Sequence, residues 1–505
     1  MAAREVGLMR MCEAASADTS AVRAGRCVGI RGFGRIPLRS VALSGVAVAL
    51  LATAPASAET MSSALARAYA TNPDINQQRA GVRGIDENIP KAKSGWLPKI
   101  SATANVGAAY TYVRQAPTRI DQAHPTRQRP NGAKYDDSTP RGYGITASET
   151  LFDGFKTLNS VRQAESQAFG ARETMRNTEQ SVLLGAATSY MNVLRDTAIV
   201  NLRKNNISVL EEQLRQTRDR FQVGEVTRTD VAQAEASLAQ SRSDFFAAQS
   251  NLRASVAAFR QYVGIEPKKL SPAKSVEKLL PKQLKSAVAV SQVEHPAIGS
   301  ALHNVDVASY AVKVAESALY PTLSVNGSVN RALDYQGFTG QKLFSASVTG
   351  QLNVPLYQGG AEYASIRQAK EQLGQARLAA DLARDQVRAL VVTSWGQLET
   401  AKAQLISGQA AVTAAEIALN GIREEAKVGQ RTTFDVLTAQ QTLLNARVLL
   451  VTAQRDRVVA SYAVLSAMGH LSAARLNLTA QLYDPTIHLN QVKNKLIGVS
   501  TPDGR

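Results

Sequence analysis

Cysteine is nearly absent: the 505 residues hold two, Cys12 and Cys27. Both lie in an N-terminal stretch that reads as an export signal, so the rest of the chain is expected to carry neither a disulfide nor thiol chemistry. A membrane-length apolar run is lacking there as well. Residues 41–51 (VALSGVAVALL) are eleven largely apolar residues, against the ~20 with which a helix crosses a ~30 Å hydrocarbon core. They follow Arg31, Arg35 and Arg39 and precede Ala56, Ser57 and Ala58, the layout of a basic region, a short apolar region and an A-x-A processing site. Cleavage is expected after Ala58. Glu59 rather than cysteine follows, so no N-terminal lipid anchor is expected. What remains is basic, 51 Lys or Arg against 38 Asp or Glu. Those charges are dispersed along helical segments without interleaved aromatic residues, and with the export signal this argues against nucleic acid as a partner.

Catalytic constellations are missing too. Of the five histidines, His124, His295, His303, His470 and His488, only His295 and His303 are close in sequence, and a spacing of eight across Pro296 suits metal ligation poorly. Gly142 and Gly144 precede a strand pattern instead of a helix, so they form no phosphate cradle. Enzyme activity, cofactor and metal are therefore not expected.

What the sequence does have is an internal repeat. Asn72-Pro73 recurs as His295-Pro296 and Trp96-Leu97-Pro98 as Leu319-Tyr320-Pro321, both at an offset of 223. Beyond residue 150 the offset is 205: LFDGF at 151–155 matches LYQGG at 356–360, and FQVGEVTRTDV from Phe221 matches AKVGQRTTFDV from Ala426. The change of offset places an insertion in the first copy, where 116–140 is a polar stretch rich in proline and glycine. A loop inserted into one copy is ordinary behaviour for a repeated structural unit.

Each copy begins with two extended segments of period two. Ile100, Ala102, Ala104, Val106, Ala108, Tyr110 and Tyr112 share one face in the first; Leu323, Val325 and Val329 oppose Thr322, Ser324, Asn326, Ser328 and Asn330 in the second. Residues 143–151 and 344–354 alternate likewise. Alternation over about ten residues suits a membrane barrel strand and equally a half-buried soluble sheet. The period then changes to threes and fours, as in Val161, Ala164, Ala168, Met175 and Val182. Such small-residue faces bury little area each and call for lateral neighbours. From Lys156 to Phe221 there is no proline, so a helix of roughly 100 Å is expected at ~1.5 Å per residue. A second of similar length spans about 361–427. Each is reversed at a V-G turn and followed by a shorter helix.

On the paired Val223-Gly224 to Asp230 and Val428-Gly429 to Asp435 elements, and the strand-to-helix junctions at Asp153-Gly154 and Gln358-Gly359, the chain resembles the TolC family of outer-membrane efflux and secretion proteins over 59 to about 470. The resemblance implies a mixed α/β membrane protein of the bacterial outer membrane: a homotrimer whose four strands per chain close a 12-stranded barrel embedded in outer-membrane lipid, continued by a periplasmic helical barrel. A periplasmic adaptor protein and an inner-membrane ABC or proton-driven transporter are the implied partners. Val223, Gly224, Val428 and Gly429 match the hairpin tips that the adaptor engages. Asp435 matches a gate aspartate and Arg431 a latch residue, with Thr229 and Asp230 as latch partners; Thr438 stands where the family has a second aspartate, and Ala426 where it has a tyrosine. The implied function is an exit duct for small molecules or proteins. Heptads alone leave open a structural coiled-coil adhesin or scaffold, and a charge at Asp435 is also what a helix start favours.

The expected organisation is a signal and long basic region at 1–58, an N-terminal periplasmic segment at 59–95, the first strand pair with its external loop at 96–155 and the first helix hairpin at 156–264. A linker or equatorial segment follows at 265–318, then the second strand pair at 319–360, the second hairpin at 361–469, and an equatorial or loose tail at 470–505.

Overall fold

The computed structural model describes residues 59–114, 133–337, 339–495 and 497–502, all within one compact unit, Ser57–Arg505. The export signal, both cysteines and most of the polar insertion lie outside the described residues. In chain order the elements are α1 (Met61–Thr71), α2 (Pro73–Asp86), α3 (Asn88–Lys93), β1 (Lys99–Val106), β2 (Ala109–Arg114), β3 (Ala133–Ser138), β4 (Arg141–Phe152), α4 (Lys156–Gln222) and α5 (Arg228–Val263). They continue with α6 (Leu284–Glu294), α7 (Pro296–Glu316), β5 (Thr322–Leu333), β6 (Lys342–Asn353), α8 (Ala361–Lys427), α9 (Thr433–Ala467) and α10 (Pro485–Val492). Both α4 and α8 have 67 residues, about 100 Å each at ~1.5 Å per residue. Among the described residues no helix is long and apolar enough to cross a membrane.

The repeat markers turn out to be start and stop signals. Asn72 caps α2 by accepting the Asp74 N–H (2.9 Å), and His295 caps α7 by accepting the Ala297 N–H on Nδ1 (3.1 Å), each with proline as the first helical residue. A side-chain acceptor followed by proline is a strong start because proline lacks the N–H that would be orphaned there. Trp96 and Leu319 each end a single 3₁₀ turn, after which the chain is extended through the following proline into β1 or β5.

β1, β4, β5 and β6 form one antiparallel sheet in that order, with β1 and β6 at its edges. The first copy's alternation does not run unbroken from 100 to 112, as its pattern suggests. Pairing stops at Val106↔Arg141, Gly107 N–H bonds the Pro140 carbonyl (2.9 Å), and β2 pairs with β3 as a separate ribbon. Gly107 and Pro140 are the breakers: one removes the side chain, the other the ladder donor. The inserted stretch is thus partly strand, and the ribbon is tied to the turn after β5 by Asp136, which accepts from the backbone and hydroxyl of Thr339 (2.7 and 2.8 Å).

Halfway along α4 lies the largest core. Tyr190 and Phe259 are fully buried there with Leu65, Ile75, Val263, Leu465 and Leu471, so α1, α4, α5, α9 and the chain after α9 meet at a waist. The Tyr190 hydroxyl lies within hydrogen-bond distance of the carbonyls of both Glu59 (2.8 Å) and Ser271 (2.6 Å), which share its single proton. Those two segments lie side by side through a parallel bridge between Glu59 and Leu270. Glu277, in the same linker, accepts from Arg457 (2.8 Å) and Ser275 (3.0 Å) and pairs with Lys402 (3.1 Å). These partners, Arg457 foremost, hold its carboxyl down at about 2. The linker is thereby clamped across α8 and α9. The tail is bound as well, through His488 to the buried Asp86 (3.2 Å).

Burial pushes His295 down to about 4. The unfolded chain takes that proton near the ordinary ~6.5, so folding loses stability as pH falls from about 6.5 to about 4, by roughly 3 kcal/mol at ~1.4 kcal/mol per unit. His295→Asn, the first copy's own capping residue, is expected to keep the cap and flatten this acid limb. Denaturation midpoints measured between pH 7 and 4 check it; an unchanged slope refutes it.

Candidate functional site

The register sorts the sheet into two chemically distinct faces. One carries Ala102, Ile145, Val329 and Ala346 in a row, with Ile100, Ala147, Gly327 and Val348 beside it. The other carries Ser101, Thr146, Ser328 and Ser347, then Thr103, Gly144, Asn330 and Ser345. Side chains on this second face bond across strands: Ser101 with Thr146 (2.7 Å), Ser148 to Asn326 (2.7 Å) and Ser328 with Ser347 (3.0 Å). Charge brackets the apolar face, with Arg141 and Lys342 in its last row, Arg331 one row inside them between Tyr143 and Phe344, and Glu149 six residues along β4 from Tyr143, about 20 Å away at ~3.3 Å per residue. Tyr143 and Phe344 flank the band at one end, and Trp96, Phe155 and Tyr357 lie exposed past the other.

At the far end of the long helices the two hairpin tips repeat one construction. Gly224 (φ +79°) and Gly429 (φ +80°) leave α4 and α8 in the left-handed region, where L side chains are strained. Glu225 N–H bonds the Arg220 carbonyl (2.9 Å) and Gly224 N–H that of Phe221 (3.1 Å); Gln430 to Glu425 (2.9 Å) and Gly429 to Ala426 (3.2 Å) match them. This is the Schellman closure, which satisfies the helix's last carbonyls. Three residues on, Thr227 and Thr432 cap α5 and α9. Thr227 donates its hydroxyl and backbone N–H to Asp230 Oδ2 (2.7 and 2.9 Å), and Thr432 does so to Asp435 Oδ2 (2.9 and 3.0 Å). Each aspartate returns its own N–H to the threonine hydroxyl (3.3 and 3.2 Å), completing a capping box.

These bonds hold both carboxyls below the usual carboxylate range, through the Thr227 hydroxyl first for Asp230 and the Thr432 backbone first for Asp435. Asp435 therefore serves the helix start that its sequence position also allowed, and it stays ionised while doing so. Arg431 is placed near it but donates to Glu425 (2.7 Å). Within one chain the expected pairing of Arg431 with Asp230 is not the one made. The Schellman turn presents Glu425 to Arg431 on the same tip, and Asp230 is taken up by Thr227 on the other. Thr229 and Thr438 are exposed, the latter three residues beyond Asp435 on α9, while Val223 and Val428 are 72% and 71% exposed.

Four contributors to the tips went unread in the sequence. Thr227 and Thr432 had a signal, the T-x-x-D spacing of a capping box. Glu425 and Leu437 had none: Leu437 of α9 is buried against Leu210, Leu214, Ala234 and Leu238 of the first hairpin and so fastens the two hairpins together. Among the described residues no group of three or more His, Cys, Asp or Glu is placed to hold a metal.

A family model described as outer membrane efflux protein matches residues 64–265 and 289–470. The chain is 40% identical over 466 residues to outer membrane efflux protein BepC of Brucella suis biovar 1, covering 92% of this chain and 97% of that one. It is 26% identical over 435 residues to outer membrane protein TolC of Escherichia coli K12, covering 82% and 83%. Its fold is similar to that of the Campylobacter jejuni CmeC outer membrane channel, with a TM-score of 0.68 at 19% identity over 86% of this chain and 89% of that one.

Proposed function

The chain belongs to the outer membrane efflux protein family and is an outer-membrane channel of a tripartite efflux or secretion system; we propose that three copies close it as a 12-stranded barrel continued by a periplasmic helical tunnel. One observation carries this reading: a four-stranded sheet, apolar on one face and hydrogen-bonded polar on the other, ends in two open edges. Lipid tolerates no unpaired backbone, so such a sheet has to close by joining its edges to other copies, and three copies supply the twelve strands. The band of about 20 Å between the rows of Arg331 and Glu149 approaches the ~25 Å expected of barrel walls, with aromatic residues at both margins. Lateral assembly also covers Leu378, Leu382, Ile406 and Ile417, which stand 57–73% exposed along α8. Internal duplication supports the same plan, each half supplying two barrel strands and one long hairpin.

In this assembly the polar ladders line the pore and the β2–β3 ribbon lies on the outside of the cell. The waist, built partly from the linker and the tail, forms an equatorial belt. The tips face the inner membrane, where a periplasmic adaptor engages Val223, Gly224, Val428 and Gly429 and an ABC or proton-driven transporter delivers cargo. Three copies of Asp435 form a carboxylate ring at the constriction, and Arg431 reaches Thr229 or Asp230 of a neighbouring copy when the gate is latched. With Thr438 and Ala426 in place of a second aspartate and a tyrosine, the ring carries one tier of charge and the latch one bond fewer.

The test is the conductance of the detergent-extracted protein in a planar bilayer. A trimer that inserts and conducts with a preference for cations is expected, and a soluble monomer without conductance overturns the reading. Asp435→Asn keeps a capping oxygen while removing the ring's charge, so the cation-to-anion permeability ratio is expected to fall by about threefold or more, charged rings being the main filter in such pores. An unaltered ratio would remove Asp435 from the gate.

A further inference from the structure

The two repeat offsets transfer more than sequence. Moving Ile100↔Ala147 of the β1–β4 ladder by 223 and 205 gives Leu323↔Leu352, and moving Ala104↔Tyr143 gives Gly327↔Val348; both are partner pairs of the β5–β6 ladder. Register inside one repeat therefore predicts register inside the other. The β4–β5 ladder joins the end of the first repeat to the start of the second, and its counterpart joins the end of the second to the start of a first repeat, which only another copy can supply.

Resting on the ring reading above, we propose that β6 of one copy pairs antiparallel with β1 of the next in the register Gln351↔Asn105, Leu352↔Ala104 and Asn353↔Thr103. These follow from Thr146↔Ser328, Ala147↔Gly327 and Ser148↔Asn326 within the chain. The side chains agree with the transfer. Leu352 and Ala104 fall on the apolar face, Gln351 and Asn105 on the polar one. Ser148 donates to Asn326 inside the chain (2.7 Å), and across the seam Thr103 and Asn353 restore the same hydroxyl–amide pair with the strands exchanged.

A second, independent contact moves with the same offsets. At the first strand-to-helix junction Gly154 (φ +66°) lies so close to the Ser317 carbonyl and the Tyr320 side chain that a Cβ there would meet them at 2.9 and 2.6 Å. Its counterpart Gly359 (φ +72°) has nothing within 4 Å. The neighbours it lacks map to Ser94 and Leu97, at the opposite edge of the sheet and so on the next copy. The flanking exposure fits: Phe152 is partly buried, while its counterpart Tyr357 is 81% exposed and Leu356 is 93% exposed. Leu97, 38% exposed, and Trp96, 46% exposed, are the surface that covers them.

Cysteine pairs test the register in a chain whose own two cysteines are replaced, Cys12→Ser and Cys27→Ser. Within one copy residues 104 and 352 stand on opposite edges of the sheet and eight residues apart along it, roughly 30 Å at ~4.8 Å per strand and ~3.3 Å per residue, so a disulfide between them joins separate copies. Two variants are oxidised in the outer membrane, Ala104→Cys with Leu352→Cys and Asn105→Cys with Gln351→Cys. Adjacent antiparallel pairs alternate between close and wide spacing, so at least one variant is expected to give covalent dimers and trimers on a denaturing gel, lost on reduction. Leu352→Cys with Ala102→Cys or Val106→Cys, displaced about 7 Å along the strand, is expected to give at least tenfold less. Cross-linking at a displaced pair in place of the proposed ones, or at none in a protein that is trimeric in detergent, overturns the register and leaves the ring standing. A protein that is monomeric in detergent overturns both.

Discussion

Ile145→Arg is expected to abolish assembly in the outer membrane, whereas Ser345→Arg, one row away on the other face, is expected to assemble and alter only what passes. Ile145 lies midway between Arg141 and Glu149 on the apolar face, 56% exposed in a single copy and flanked by Ala102 and Val329. Arginine at the middle of a lipid-facing band costs about 2–4 kcal/mol, so three copies add roughly 6–12 kcal/mol per ring. That is comparable with the whole folding stability of an ordinary domain. Ser345 pairs with Asn330 among the hydroxyl and amide groups, where a guanidinium meets water and other polar groups. The check is the fraction of each variant recovered as heat-resistant trimer from outer membranes, followed by reversal potentials for those that assemble. Wild-type yields of Ile145→Arg would mean that this face does not meet lipid.

Gly469→Ala is expected to destabilise the waist by about 2–5 kcal/mol, and Gly264→Ala by only about 1–2. Both glycines end the shorter helix of a hairpin with a left-handed backbone, φ +83° and +85°, which costs an L side chain about 1–2 kcal/mol. They differ in what a methyl group meets. At Gly264 the nearest atom is the Thr71 hydroxyl at 3.5 Å; at Gly469 it is the backbone of the α6–α7 link, with His295 Cα at 2.8 Å and the Glu294 carbonyl at 3.0 Å. Backbone cannot swing aside, so overpacking adds about 1–3 kcal/mol to the second site. Thermal unfolding of the extracted protein, followed by helical circular dichroism, separates the two. Equal shifts would show that the link yields.

Much of this was legible in sequence because it is periodic or punctuated. The long helices are two of the proline-free stretches, and their ends are the V-G turns. The two faces of the sheet are visible as alternation from Leu323 to Asn330. The insertion was placed from a change in offset, but not its ribbon, since β2 continues the alternation of β1 and only Gly107 and Pro140 mark the break. Contacts between distant segments left no local trace. Glu277 with Arg457, His488 with Asp86 and Leu437 in the first hairpin depend on where helices cross, which spacing along one segment does not encode. At the tips the sequence located Asp435 and Arg431 but not the partner of the latter, because Glu425 is brought near by the turn.

Each tip settles its own hydrogen bonds. From Arg220 to Asp230, and from Glu425 to Asp435, the helix-end carbonyls, the capping threonine and the aspartate find their partners within eleven residues, without help from a neighbour. A turn closed in this way moves as a rigid knob: it can swing with its hairpin without melting, and the resistance to that swing resides in contacts such as the seat of Leu437. Any protein that grips the tip meets a surface already in its final shape, so little of the grip is spent on ordering it.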